Sequence, residues 1–567
     1  MRSPAYEPNP RYPAIGGTVS AGWDEPVGAL PDGPLVLAVD GPALLDWERF
    51  VDEICRALRT CERNVRRLDL RDFLAPWSEI VQRTASPVLA EDPDFDRLAS
   101  GDLARLFSEL PAVDPPGDGV LVVFGPGAAV VSHDRLWYLD LPKRFAEASV
   151  SARHGHNLGQ RDGDGDPTTK RLFYIDWPLL DRHRDVICAQ VDRWVDVQEP
   201  DRPTSVDGAA LRASMQALVQ RPFRTRPTFN TTPWGGHWAQ RELGFNPAAR
   251  NTALGYELIA PESGVLVGDV DATVELPFQM IVAAHPREVL GPAVQDVFGS
   301  SFPVRFDYLD TVDGGNLSVH CHPRPDYMAE VFGWPYPQHE TYYLMVGGPE
   351  GRVFLGLRDD VDVADFHRLA AAAQAGGAPL DIERYVQVFP ADQHQLFCVP
   401  AGTPHGSGVG NVVLEVSATP YLYSLRLYDW LRRDADGKQR PVHVAHAFAN
   451  LNTERTGAAV QTDLVQVPRT LRAGTGWHEE VLGSLPEMFF EVRRVVLGSA
   501  DPVEDDTAGR FHVLNVVEGD GVLVEPVGGT GHALRYAETL IIPASVGAYR
   551  LQRVGDRPVR VVKALVR

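Results

Sequence analysis

Three short stretches concentrate side chains that bind metals: LSVHCHP at residues 317–323, HETYYLMV at 339–346 and PAGTPHG at 400–406. In a strand, His320 and His322 are two residues apart, so both side chains leave one face and can converge on one ion. Glu340 begins a second strand-like run, and His405 follows a Pro-Gly turn. Three imidazoles and one carboxylate make a borderline donor set that suits zinc, with manganese, iron or nickel as alternatives. Such an ion places fixed positive charge where negative charge develops during a reaction. A lone histidine is more often a surface or hydrogen-bonded core residue, so the reading rests on the four together.

These motifs need strands to carry them. From PTFNTTPWGGHWAQ to about residue 350 the chain consists of short β-type runs broken by Gly, Pro and Asn, the pattern of a barrel or sandwich. One helical stretch, DDVDVADFHRLAAAAQAG, opens on aspartates that suit a helix N-terminus and stops at glycine. Strands resume at FCVPAGTPHG. The last hundred residues, with FHVLNVVEG, GVLVEPV, TLIIPAS and YRLQRV, predict a second small barrel. Its His512 and His532 lack the paired arrangement of the first, which marks it as structural.

Upstream the texture differs. PLVLAVDG is a continuous apolar run of buried-strand type, and in ALLDWERFVDEICRALRT the residues Leu45, Phe50, Ile54 and Leu58 recur at helical spacing. GVLVVFGPG, VVSHDRLWYLDLP and RDVICAQVDRWVDV continue the alternation, which predicts an α/β layer domain. Residues 1–30, rich in Pro and Gly, read as an extended tail.

The chain has 567 residues, 44% of them hydrophobic, enough for several cores. A net charge of -22 disfavours binding to nucleic acid or anionic lipid, so an anionic substrate must meet a local cationic pocket. The five cysteines, Cys55, Cys61, Cys188, Cys321 and Cys398, are too scattered for a disulfide framework, and no apolar run approaches a membrane span. A cytoplasmic location is expected.

Taken together, the metal motifs resemble those of the type I phosphomannose isomerases, β-barrel proteins of the cupin superfamily. There the first motif commonly reads L-S-x-Q-x-H-P, the second sets a Glu before an aromatic strand, and the third reads P-A-G-T-x-H. Leu317, Ser318, His322 and Pro323 match the first, while His320 replaces its glutamine and shifts preference toward softer metals. PWGGHWAQ, GNVVLEVS and RLYDWLRRDADGKQRPVHV extend the resemblance over roughly residues 225–567.

The resemblance implies an aldose-ketose isomerase of a phosphorylated sugar, acting through an enediolate with one divalent metal held by His320, His322, Glu340 and His405. It places Arg426 at the active-site arginine, Glu415 at a proton-transferring carboxylate, and Ser318 and Arg432 at the phosphate. The spacing from Glu415 to Arg426 is one residue longer than usual. Lys438 lies in another familiar stretch. Gln338 stands where the family commonly has a lysine beside the substrate, which removes a proton donor and a charge. Competing readings are a non-catalytic sugar-phosphate-binding regulator and a different cupin enzyme such as a dioxygenase.

The N-terminal strand and helix resemble uridine-kinase-like P-loop proteins in layout. A working P-loop needs Gly, Lys and Ser/Thr where, counted from Gly41, this chain has Asp46, Trp47 and Glu48, so a pseudokinase is expected and ATP binding is not. The expected organisation is therefore multidomain α/β plus mainly β. It comprises a tail (1–30), a degenerate kinase-like α/β domain (31–221), a metal-binding cupin domain (222–358 and 387–455) with a helical insertion (359–386), and an accessory cupin barrel (456–567). The expected partner is a small phosphosugar, with no nucleic acid or membrane, and a homodimer is compatible.

Overall fold

The computed structural model describes residues 6–567 apart from 115, 349, 435, 436 and 500, so residues 1–5 of the expected tail lie outside the described residues. The chain forms two compact units, one built from 10–218 and 264–285, the other from 6–9, 219–263 and 286–567.

In the first unit, Leu35–Asp40 and Val120–Phe124 are buried along their whole length, as continuous apolar runs must be when a parallel sheet is covered on both faces. They lie at the centre of a seven-stranded sheet. Five strands are parallel, in the spatial order Val65–Asp69, Val120–Phe124, Leu35–Asp40, Arg135–Asp140, Arg193–Asp196, or 2-3-1-4-5 in chain order. Thr204–Asp207 joins antiparallel, and Ser20–Ala21 pairs with it from within the segment expected as a tail.

Alternate residues of the central strands enter two separate cores. Leu35, Leu37 and Val39 pack with the helix Trp47–Thr60, whereas Val36 packs with Leu74, Ile80, Leu103 and Leu179. The helix presents Trp47, Phe50, Val51, Ile54, Cys55 and Leu58, a stripe repeating every three to four residues.

The boundary expected at residue 222 does not coincide with the division into units. The hairpin Gly264–Gly268/Thr273–Pro277 and the helix Phe278–Ala284 belong to the N-terminal unit. There Gly264–Gly268 runs parallel to Arg11–Tyr12, and Glu275 pairs with Arg144 at 2.8 Å while its N–H donates to Asp196.

The second unit contains four sheets. A six-stranded sheet, in the order Leu396–Val399, Glu340–Val346, Val412–Ala418, Val304–Asp310, Leu254–Leu258, Thr228–Asn230, faces a five-stranded one made of Val386–Pro390, Arg352–Leu357, His405–Ser407, Val319–Cys321 and Leu425–Tyr428. The helix Val363–Gln374 lies between two of these strands in sequence, with Asp362 capping it by accepting from the Asp365 N–H. Residues 469–566 form another six- and four-stranded pair around Val495, Leu514, Val524, Leu540 and Val561.

This last pair encloses a charged group. Lys563, fully buried, reaches Glu479 Oε1 and Asp505 Oδ2 at 2.6 Å each, and Arg472 also pairs with Glu479. Burial works to raise both carboxyls, but Lys563 more than reverses it and holds them below their ordinary range. Their ionised forms therefore stabilise the fold above the unfolded carboxylate pKa of roughly 4, and this contribution is lost as pH falls. Lys563→Met should lower the unfolding free energy by about 3 kcal/mol near neutral pH. Chemical denaturation should show that difference shrinking toward pH 3; a difference independent of pH would remove the ion pair as its cause.

Candidate metal and substrate site

His322 directly follows the strand Val319–Cys321, Glu340 begins Glu340–Val346, and His405 begins His405–Ser407. These three residues come from both facing sheets, and their ligand atoms lie within 4.8 Å of one another. His322 Nε2 is 2.9 Å from Glu340 Oε1, and His405 Nε2 is 3.1 Å from Glu340 Oε2. All three are buried.

The donor chemistry fits a divalent cation. His405 Nδ1 donates to the Thr403 carbonyl at 2.8 Å, which leaves Nε2 with its lone pair toward the cluster, the usual outer-shell arrangement of a metal-bound histidine. His322 Nε2 and His405 Nε2 are buried without a hydrogen bond of good geometry, as expected of groups whose partner is an ion. Burial lowers the His322 pKa, against the pull of Glu340. Burial alone would raise the Glu340 pKa; His322 and His405 reverse this and hold the carboxylate ionised, well below its ordinary range.

His320, expected beside His322, stands further off, its ring centroid 6.3 Å from that of His322 and 6.2 Å from that of His405. Its strand buries Val319 and Cys321 and leaves His320 partly exposed at the mouth of the cluster, opposite Arg426 in the sheet register.

Sequence reasoning missed the groups behind the cluster. Cross-strand register aligns Arg305 with Ser417 and Glu340, and Asp307 with Glu415 and Tyr342, so these six side chains share one buried face. Arg305 donates through Nη2 to Glu340 Oε1 at 3.2 Å and to Glu415 Oε1, and through Nε to Ser417 Oγ at 2.5 Å. Burial, then Asp307 and Glu340, push the Glu415 pKa well above its ordinary value, against the pull of Arg305. The available signal was VRFDYLD, where two charges alternate within an apolar strand and must face inward together.

Gln338 is fully buried and donates through Nε2 to Glu340 Oε1, with Ser424 Oγ near its carbonyl at 3.4 Å. Arg426 lies on Leu425–Tyr428, its guanidinium donates to the Pro441 carbonyl at 2.8 Å, and its backbone N–H donates to His443 Nδ1 at 2.9 Å. Ser318 and Arg432 are brought together by a residue not singled out beforehand. Asp429 accepts from Ser318 Oγ at 2.7 Å, from Arg432 Nη1 at 2.9 Å and from Arg440 Nη1 at 2.7 Å. Two guanidinia against one carboxylate leave this group with a net positive charge. Lys438 is exposed in the adjoining loop, its backbone N–H bonded to Asp434.

Residues 22–220 match a family model described as a domain of unknown function, DUF8485. The chain is 26% identical over 320 residues to mannose-6-phosphate isomerase of Streptococcus mutans, covering 56% of this chain and 90% of that protein. It is 23% identical over 344 residues to mannose-6-phosphate isomerase ManA of Bacillus subtilis, covering 59% and 97%. The crystal structure of the Bacillus subtilis mannose 6-phosphate isomerase superposes with a TM-score of 0.49 at 19% identity, over 61% of this chain and 99% of that one.

Metal analysis of the purified chain should find one equivalent of divalent ion, and His322→Ala and His405→Ala should each lose it. Since removing one of three donors costs several kcal/mol of binding, about a hundredfold loss of affinity is expected in a chelator competition. Unchanged metal content in both variants would place the ion elsewhere.

Proposed function

We propose that this chain is a metal-dependent aldose-ketose isomerase that converts mannose 6-phosphate to fructose 6-phosphate. The observation that carries the reading is the buried His322–Glu340–His405 cluster with Glu415 alongside, in a chain similar along most of their length to curated mannose-6-phosphate isomerases. Among the described residues no helix is long and apolar enough to cross a membrane, which suits a substrate met in water.

His322, Glu340 and His405, with His320 beside them, would hold the divalent ion, which would supply positive charge near the sugar's carbonyl oxygen. Glu415 takes the proton from C2 of the aldose and returns it to C1, while the O2 hydroxyl proton passes to O1, so that C2 becomes the carbonyl. A carboxyl whose pKa is raised by burial can both accept and give up that proton near neutral pH. Arg305 fixes the carboxylate on the barrel face. Arg426, at the mouth, stabilises the negative charge that develops as the proton leaves. Arg432 and Arg440 hold the phosphate through N–H donors not used on Asp429, while Ser318, whose O–H is given to Asp429, holds that carboxylate between them. Gln338 donates to Glu340, so the amide orients the metal carboxylate and supplies no proton to the sugar. Lys438 screens the phosphate from the exposed loop.

The N-terminal unit enters this reading as a pseudokinase that scaffolds or regulates. Trp47 is buried in the position a catalytic lysine would need, Asp46 caps its helix and Glu48 pairs with Arg71.

An assay coupled to fructose 6-phosphate tests the reading. Turnover is expected in the metal-loaded wild type and not in His322→Ala. Glu415→Gln should reduce kcat by about a hundredfold or more with little change in KM. Full activity of Glu415→Gln would reassign the base, and wild-type protein with a full complement of metal yet no turnover would refute the substrate.

A further inference from the structure

The N-terminal unit holds a cavity of about 560 Å³ that no step of the proposed isomerisation uses. Its walls come from the turns that follow Leu35–Asp40, Val65–Asp69 and Val120–Phe124, and from the loop 155–162. From Leu35–Asp40 the chain builds outward to Val65–Asp69, returns as Val120–Phe124, and then crosses to Arg135–Asp140 on the other side. The cavity therefore stands over the carboxyl ends of the strands where the order reverses, the place at which open parallel sheets bind ligands.

Its polar groups disfavour a phosphate. Three backbone N–H groups near the strand ends are already taken: Asp40 accepts from Gly41 at 2.7 Å, Gly127 at 3.0 Å and Ala129 at 2.8 Å. Asp46 caps the first turn of the following helix through the Arg49 N–H. The Arg71 guanidinium is spent on Asp69 and Glu48, and Arg161 donates to the Arg71 carbonyl at 3.1 Å. Against these two cations the lining sets Asp46, Asp69, Asp72 and Asp162, so an anion would meet net repulsion.

What remains open favours donors. Asp46 and Asp72 are exposed carboxylates at the rim, and Asp72 has only a 3.8 Å approach from Arg161. His156, in the loop 155–162, is partly exposed, and its Nε2 lies 3.1 Å from Asp162 Oδ1. Leu44, Leu74 and Leu158 add apolar surface between them. Carboxylates accept only, and a pair of neighbouring hydroxyls fills one of them, while the C–H face of a ring or chain packs on leucine. We propose that this cavity binds an uncharged, hydroxyl-rich ligand of the size of a free monosaccharide or polyol. The inference is independent of the isomerase reading.

Saturation-transfer NMR on the full-length chain tests it, with D-ribose and xylitol as neutral probes and ribose 5-phosphate and inorganic phosphate as anionic ones. Transfer to at least one neutral probe is expected at concentrations up to ~10 mM, with weaker transfer to the anionic probes. The double variant Asp46→Asn/Asp72→Asn should weaken the neutral probe by about tenfold or more. Asparagine caps a helix as well as aspartate does, so the fold and the mannose 6-phosphate turnover should stay as in the wild type. Three results would each overturn the proposal: no transfer to either neutral probe, tighter binding of an anionic one, or neutral binding that the double variant leaves unchanged. In the last case displacement by mannose 6-phosphate would place the probe in the other unit's site.

Discussion

A single buried carboxylate organises the second unit. Glu340 lies at the start of a central strand with no route to water, and an ionised carboxylate there is tolerable only if several positive or donating groups surround it. His322, His405, Arg305 and Gln338 all converge on it. Because these four come from four separate stretches of chain, satisfying one charge fixes how the two sheets face each other. The same arrangement could hold a metal ion, since two imidazoles and a carboxylate bring ligand atoms within 4.8 Å of one another.

Arg305 extends the network in depth. Its guanidinium binds Glu340 with one side and Glu415 with the other, so the metal carboxylate and the proposed base share a partner. Asp307 adds a further negative charge behind them, which keeps Glu415 prone to hold a proton while Glu340 does not. Two carboxylates on one face are thereby driven apart in pKa, the arrangement that lets one serve as ligand and the other as acid and base.

The N-terminal unit shows the converse use of carboxylates. Asp40 at the end of the central strand gathers three backbone N–H groups, and His183 Nε2 approaches it at 2.8 Å. Elsewhere such amides wait for a phosphate; here the chain supplies the anion itself. Trp47 closes the remaining space, lying 1% exposed against Phe124. Asp40 and Trp47 thus fill the end of the central strand from within the chain.

Much of this was legible in the sequence. Continuous apolar strands, the helical stripe from Trp47 to Leu58, and the Asp-capped helix Val363–Gln374 follow from local patterning, because burial on one or both faces imposes a periodicity that needs no knowledge of partners. The motifs that hold His322, Glu340 and His405 could be found for the same reason, each being short and contiguous. The sequence could not show that His320 stands at the mouth about 6 Å away, that Arg305 bridges two glutamates, or that Asp429 joins Ser318 to two arginines. Nor could it show that 264–285 joins the N-terminal unit. Those facts depend on register between strands as distant in the chain as Val304–Asp310 and Val412–Ala418, and only the folded sheets fix that register. The sequence by itself determined which side chains were available for chemistry; the tertiary structure decided which of them meet, because buried charges must find partners wherever the pairing of strands puts them.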